Sequence, residues 1–251
     1  MQPDRLRQLF KPKSVALFGA SNVEGALGTV ILQNLKSAGF QGEITLVNPK
    51  YEEIDGDTCF PSLEASGREV DLAVIVAPAK VVPHIIEDCG ESGVGAAIVV
   101  SANFSEAGPK GAALEKEMLR RARRYGIRIL GPNCLGVIRS DIGLNATFSA
   151  GNALPGRIAV ISQSGALCTA ILDWAQDHDV GFSSLISTGI GADVDFGEIL
   201  DFVAMDPGTD SIMLYIEGLK DSRRFMSALR AAARTKPVVI MKSGRHEQGS
   251  K

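Results

Sequence analysis

The chain has little of what staples, spans or steers a protein. Its four cysteines, Cys59, Cys89, Cys134 and Cys168, are scattered, with neither a paired framework nor a Cys-x-x-Cys spacing. No disulfide scaffold is encoded, and a reduced, cytoplasmic setting is expected. Charge of one sign is also lacking. Basic residues number 26 against 29 acidic ones, a net charge of −3, too even to form an electrostatic footprint for nucleic acid or an anionic membrane. Long hydrophobic runs are missing as well. The stretch from Leu72 to Ile86 is broken by Pro78, Lys80 and Pro83, and that from Val94 to Val100 stops at Ser101, well short of the roughly eighteen residues of a membrane span. The opening, Met1 to Lys13, is charged and has no apolar core, so no secretory signal is read there. What is present is a composition of 45% hydrophobic and 22% charged residues, which excludes disordered, collagenous and coiled-coil classes and leaves a soluble globular protein. A length of 251 residues suits one large domain or two of ordinary size.

Short apolar runs rich in β-branched residues recur, with helical patterns between them. Val15 to Phe18, Ile44 to Val47, Leu72 to Val76, Ala96 to Val100 and Ile127 to Leu130 read as strands. Gly25 to Ala38, Lys80 to Glu91 and Pro109 to Arg124 read as the helices between them, the last with a solvated charged face and Gly126 at its end. Such alternation predicts βαβ units around a parallel sheet covered on both faces. From Ser140 to Pro155 the periodicity fades among Gly, Asn, Ser and Ala, and a boundary is expected there. A second βα series then runs from the strand Ile158 to Ile161 to the strand Val238 to Met241. The reading is α/β: a Rossmann-like domain over 1–135, a linker over 136–155 and a flavodoxin-like, doubly wound domain over 156–251.

Each half opens with an apolar strand, a turn of small residues and a helix, which locates two anion sites. The first turn is Gly19, Ala20, Ser21, Asn22, Val23, Glu24 and Gly25, with Gly28 three residues on. Its glycines let the backbone approach a pyrophosphate, although Ser21 stands where the dinucleotide fingerprint has its second glycine. The second strand ends in Asn48, Pro49 and Lys50, where a nicotinamide enzyme carries an acid for the ribose hydroxyls. A cation there suits an adenosine ribose that bears a phosphate, as in coenzyme A or NADP. The second turn, Ser162, Gln163, Ser164, Gly165 and Ala166, offers two hydroxyls, a carboxamide and helix-start amides, a set suited to a free phosphate or phosphoryl group.

Gly19 to Ser21, Asn48 to Lys50, Gly131 to Gly136 (Gly-Pro-Asn-Cys-Leu-Gly), Ile161 to Leu167 (Ile-Ser-Gln-Ser-Gly-Ala-Leu) and Gly189 to Gly191 with Asp195 together resemble the α part of the NDP-forming acyl-CoA synthetases. ADP-forming acetate–CoA ligases belong to that family, which is related to the succinyl-CoA synthetase α subunit. The likeness runs over essentially the whole chain, in order. It implies that coenzyme A lies against Ser21 to Glu24, Lys50 and Ser101, Ala102 and Asn103, and that Ser162 to Ala166 is one of two helix ends holding phosphate. It further implies a reaction through acyl phosphate and phosphohistidine, with Glu217, which directly follows the strand Ser211 to Ile216, orienting the relay imidazole. No metal site is expected in this chain. ATP or ADP with magnesium is implied only through an ATP-grasp β subunit or fused domain, and the complete enzyme is expected to be an oligomer.

One departure stands out. In the family the relay histidine follows a strand and Ser-Gly-Arg turn like Lys236 to Arg245 by about a dozen residues, in a Ser-His-Thr-Gly segment, whereas this sequence ends at Lys251. His84 and His178 fall on helical segments, and His246 comes too early and without that context. The expectation is a truncated portion, inactive alone. A non-catalytic module that senses coenzyme A, such as the ligase-like part of a fused lysine acetyltransferase, is the alternative, and an NADP-dependent oxidoreductase a distant third.

Overall fold

The computed structural model describes residues 5–244, so Arg245 and His246 lie outside the described residues. After a short helix α1 (Arg5–Phe10), the first module runs β1 (Ser14–Phe18), α2 (Leu27–Ser37), β2 (Glu43–Val47), β3 (Glu53–Ile54), β4 (Asp57–Phe60), α3 (Leu63–Ser66), β5 (Leu72–Ile75), α4 (Val82–Glu91), β6 (Ala96–Val99), α5 (Pro109–Tyr125) and β7 (Arg128–Leu130). The central strands β1, β5 and β6 are buried along almost their whole length, as near-continuous apolar runs are when helices cover both faces. Helix α5 starts with a proline in its first turn and ends on Gly126 in the left-handed conformation, the usual stop and start chemistry of a helix. The sheet order is β3-β4-β2-β1-β5-β6-β7. The chain winds from β1 outward through β2 and returns on the other side at β5, which leaves a crevice beyond the carboxyl ends of β1 and β5.

Residues 136–155, expected to be a linker, instead carry β8 (Gly136–Arg139) and β9 (Leu144–Thr147). Both are edge-ward members of the second sheet. That sheet continues with β10 (Pro155–Ser162), α6 (Gly165–Asp177), β11 (Phe182–Ser187), α7 (Phe196–Ala204), β12 (Ser211–Ile216), α8 (Ser222–Ala232) and β13 (Val238–Lys242), in the order β13-β12-β10-β11-β8-β9. Strand β8 pairs antiparallel with both β11 and β9, while β10 to β13 are mutually parallel. The two strands escape a periodicity reading because both faces are covered. Their small polar residues are buried and satisfy one another: Thr147 Oγ1 donates to Asn145 Oδ1 at 2.6 Å and lies 2.7 Å from Ser149 Oγ.

These strands also weld the modules. The buried carboxamide of Asn34 on α2 donates to the carbonyls of Thr147 and Ser149 at 2.8 and 2.9 Å. Fully buried Arg139 pairs with Asp141 and Asp206 at 2.9 and 3.1 Å, and its guanidinium stands 5.6 Å from the Phe202 ring, which packs on Phe10. Burial works against ionised Asp206, yet Arg139 and Lys11 outweigh it and hold that carboxyl below the usual range. One apolar cluster runs through both modules, from Leu17 and Leu35 to Val137, Ile161 and Ile199.

Candidate functional site

Gly19 follows β1 with φ +88°, and its N–H donates to the Val47 carbonyl at 2.9 Å. A side chain at Gly19 would overlap the Val76 carbonyl, and one at Gly28 the Gly19 carbonyl. Strand, turn and helix therefore touch backbone to backbone. Helix α2 begins at Leu27, later than Gly25, and its N-cap Ala26 supplies no side-chain acceptor. The turn is held from within: Ser21 Oγ accepts from Val23 N–H at 3.0 Å, Thr29 Oγ1 hydrogen-bonds the Ser21 and Val23 carbonyls at 2.7 Å each, and Asn22 reaches across to Glu53 and Asp55. Ala20 is buried, whereas Asn22, Val23, Glu24 and Gly25 are exposed.

Asn48 brings Lys50 to this turn. Its Nδ2 donates to the Ala20 carbonyl at 2.7 Å and its Oδ1 accepts from Lys50 N–H at 3.0 Å. Lys50 is exposed, and its ammonium makes no ion pair among the described residues. Tyr51, which sequence reasoning passed over, sets its hydroxyl 3.5 Å from Ser21 Oγ. At the end of β6, Ser101 Oγ accepts from Ala77 N–H at 3.1 Å. Ala102 and Asn103 are exposed, and Asn103, at φ +74°, spends its N–H on Glu106 at 2.7 Å.

The second turn is built otherwise. Ser162 is buried, and its hydroxyl accepts from Ser164 N–H at 3.0 Å and donates to the Ser164 carbonyl at 3.0 Å. Ser164 is the N-cap of α6, accepting from Leu167 N–H at 3.2 Å. The Ser162 hydroxyl, read from the sequence as a ligand donor, is thus committed to shaping the turn, whereas Ser164 Oγ accepts from the helix start and keeps its own proton to donate. A buried hydroxyl beside a backbone amide finds its partner locally. Open to an anion are the amides of Gly165 and Ala166 at the helix start and, beside them, the hydroxyl proton of Ser164. Gln163 Oε1 accepts from the N–H groups of Glu217 and Gly218 at 2.6 and 3.0 Å. Glu217 is exposed at the end of β12, the neighbour of β10, so the turn and the strand end that carries Glu217 meet at the switch point of the second sheet.

The segment Gly131 to Gly136 joins the end of β6 to the second turn. Asn133 N–H donates to the Ser101 carbonyl at 3.0 Å, and Leu135 N–H to Ser187 Oγ at 3.0 Å. Ile190 and Ala192 N–H groups return to the carbonyls of Pro132 and Gly131 at 3.0 and 2.9 Å. Gly165 packs on Leu135. Beside the second turn a small cleft is lined by Gln163, Thr188, Ile190, Phe196 and Phe225, among others, and Lys220 Nζ straps it by donating to the Gly191 carbonyl at 3.0 Å. Behind it Arg128 clasps Glu198 at 2.7 Å and Asp193 at 2.9 Å. The hydrogen bonds that Arg128 donates to Glu198 raise the Arg128 pKa, and although burial opposes charge on Glu198, Arg128 and Arg224 hold its carboxyl below the usual range. That network fixes the loop before α7. Burial pushes the thiols of Cys134 and Cys168 up to about 12, so neither is a thiolate nucleophile at neutral pH.

The described histidines sit apart from the turn. His84 is exposed on α4, with Nδ1 3.1 Å from an Arg121 nitrogen. His178 caps the far end of α6, 2.8 Å from the Trp174 carbonyl and stacked on its ring; thirteen residues of helix put it about 20 Å from Gly165. Among the described residues no cluster of His, Cys, Asp and Glu could hold a metal ion, and no helix is long and apolar enough to cross a membrane.

Residues 13–140 match the model of a CoA binding domain, and residues 155–251 that of a succinyl-CoA ligase like flavodoxin domain. The chain is 48% identical over 246 residues to an ADP-forming acetate–CoA ligase I of Archaeoglobus fulgidus, covering 98% of this chain and 36% of that protein. It is 43% identical to the α subunit of the Pyrococcus furiosus acetate–CoA ligase I, of which it covers 54%. A dinucleotide-forming acetyl-coenzyme A synthetase 1 of Ca. Korarchaeum cryptofilum, solved with phosphate and ADP, superposes with a TM-score of 0.93 at 40% identity, over 98% of this chain and 53% of the other. The chain therefore spans between about a third and just over half of these relatives. With a CoA binding domain, a ligase-type flavodoxin domain and this degree of identity in one order, the chain belongs to the ADP-forming acyl-CoA synthetase family and corresponds to its α part.

Proposed function

We propose that this chain is the coenzyme A- and phosphate-binding part of an acid–CoA ligase that interconverts acyl-CoA, phosphate and NDP with acid, coenzyme A and NTP. The pyrophosphate of coenzyme A sits on the uncapped start of α2, against Gly19 to Gly25, where free amides and the helix dipole favour negative charge. Lys50 meets the ribose phosphate, and Ser101 to Asn103 line the path of the pantetheine arm toward the second module. Phosphate rests on the amides of Gly165 and Ala166. It attacks the thioester carbonyl, the thiolate of coenzyme A leaves, and acyl phosphate results. An imidazole then takes the phosphoryl group and the acid departs, after which the group passes to NDP. Glu217 holds that imidazole in the tautomer whose free nitrogen faces phosphorus and balances the charge it gains. The imidazole is neither His84 nor His178. The nucleotide and its magnesium belong to an ATP-grasp partner, fused or separate.

The observation that carries this reading is the segment Gly131 to Gly136, whose hydrogen bonds to Ser101 and Ser187 and whose packing on Gly165 join the end of the first module's crevice to the phosphate turn. A thioester delivered by one module therefore reaches the anion held by the other. The test is Glu217→Gln in the longer ligase with its partner. Acyl-CoA synthesis should fall at least about a hundredfold, since orienting acids act on turnover, while the unfolding midpoint stays put. Near-normal synthesis removes Glu217 from the relay, and failure of the wild-type chain to bind coenzyme A in a calorimeter removes the reading as a whole.

A further inference from the structure

Gln163 lies in the phosphate turn and reads from the sequence as one of its ligands, but its side chain is engaged elsewhere. Two backbone donors, Glu217 N–H at 2.6 Å and Gly218 N–H at 3.0 Å, converge on Oε1. Two donors demand the oxygen, so the carboxamide has only one acceptable flip. The backbone N–H of Gln163 is returned to β12 through the Tyr215 carbonyl at 3.2 Å, which gives three hydrogen bonds between this one residue and the strand end that carries Glu217. The Glu217 carbonyl is held as well, by Lys242 Nζ at 3.0 Å. Its carboxylate makes no hydrogen bond or ion pair among the described residues. The main chain of Glu217 is thus clamped on both sides while its acid is left free, as a group that must receive an incoming imidazole requires.

We propose that Gln163 is a positioning residue: it fixes the loop bearing Glu217 onto the phosphate turn, so that the orienting acid and the bound anion keep one mutual geometry. This rests on the reading of Glu217 and the turn given above. The residue type suits the task. A carboxamide offers an acceptor to the two amides without placing negative charge beside a phosphate, which a glutamate would do, and leucine offers no acceptor at all. Misplacement of a catalytic group by as little as an ångström lowers rates about a hundredfold, so the effect belongs to turnover rather than to affinity.

The experiment compares Gln163→Leu and Gln163→Glu in the isotopically labelled 251-residue chain. It measures amide hydrogen exchange at Glu217 and Gly218, and titrates inorganic phosphate against the Gly165 and Ala166 amide signals. Gln163→Leu should speed exchange at both loop amides at least tenfold, leaving β10 and β11 as protected as in wild type. Its phosphate affinity should stay within threefold. Gln163→Glu, which keeps an acceptor oxygen, should restore the protection yet weaken phosphate severalfold. Gln163→Asn, with its oxygen withdrawn by one carbon, reads the same loss of protection should the leucine variant not fold. Unchanged exchange at Glu217 and Gly218 overturns the proposal. So does a tenfold loss of phosphate affinity in Gln163→Leu with the loop amides still protected, since the residue would then be a ligand. In the longer ligase the clamp appears as a fall in kcat of at least tenfold with KM for phosphate within threefold, and the reverse split overturns it. If wild type shows no phosphate response at Gly165 and Ala166, the phosphate reading fails by itself, and the exchange rates still decide whether Gln163 holds the loop.

Discussion

The two strand-to-helix turns occupy the same place in their modules and are built from opposite materials. At Gly19 to Gly28 side chains are stripped away until backbone meets backbone, and the helix starts at Ala26 without a cap. At Ser162 to Ala166 side chains are supplied until the turn satisfies itself, with Ser162 bonded inside and Ser164 capping. A helix start that lacks a cap leaves its first amides to water or a ligand. On the proposed reading, the first turn embraces a large diphosphate with its main chain and leaves selectivity to neighbours such as Lys50. On the same reading, the second offers the Gly165 and Ala166 amides and the Ser164 hydroxyl to a small anion that arrives and departs within each turnover of the longer ligase.

The largest test of this contrast is an added methyl in each turn. In Gly28→Ala the new carbon overlaps the Gly19 carbonyl, with backbone on both sides, whereas in Gly165→Ala the nearest atom is Leu135 Cβ at 3.4 Å. Overpacking against backbone costs about 3 kcal/mol, while a methyl in ordinary contact at a helix start costs within about 0.5 kcal/mol. Urea unfolding of the two variants should separate by that margin, and equal midpoints would break the contrast. Next in size is Lys50→Ala. A charge-assisted contact is worth about 1.5 to 3 kcal/mol, so calorimetry should show coenzyme A weakened and dephospho-coenzyme A almost unchanged. Equal losses for both ligands remove Lys50 from the ribose phosphate.

How far the sequence anticipates these features depends on what each rests upon. The strands β1, β5, β6 and β10 are legible because parallel strands buried on two faces are continuous apolar runs. Strands β8 and β9 are not legible. Their buried positions are filled with Asn145, Thr147 and Ser149, whose hydrogen bonds to one another exist only after folding. The same limit applies at the site. Glycines at a turn announce a close approach, and the structure supplies it at Gly19 and Gly28. The hydroxyls of Ser162 and Ser164 announce donors, but burial turns that of Ser162 inward, while Ser164 caps the helix with its oxygen. Gln163 and Glu217 lie 54 positions apart, and nothing local to either residue records that one holds the other; only the adjacency of β10 and β12 does.

A third test is smaller. Ser164→Ala removes the cap of α6, which costs about 1 kcal/mol of stability, and exposes Leu167 N–H to the anion site. The urea midpoint should drop accordingly, while phosphate bound at Gly165 and Ala166 changes by less than threefold, because the serine acts chiefly as the structural cap. A loss of phosphate binding larger than the loss of stability would make its hydroxyl a main ligand.

The smallest effect is the most specific. Ala26 has the extended backbone of an N-cap, φ −66° and ψ 142°, but no oxygen to offer, so Ala26→Ser makes the first turn resemble the second. A serine hydroxyl there accepts from the second or third amide of α2 and should stabilise the free chain by about 0.5 to 1 kcal/mol. If those same amides receive the pyrophosphate, the ligand must displace the new cap, and coenzyme A binding should weaken by a similar amount. The two shifts are then linked: the midpoint rises without ligand, and the further rise given by saturating coenzyme A shrinks to match. Thermal unfolding with and without coenzyme A measures both in one set of scans. A variant that gains stability and keeps its full response to coenzyme A would mean that the ligand does not use the uncapped amides of α2, and the contrast between the two turns would have to rest on Lys50 alone.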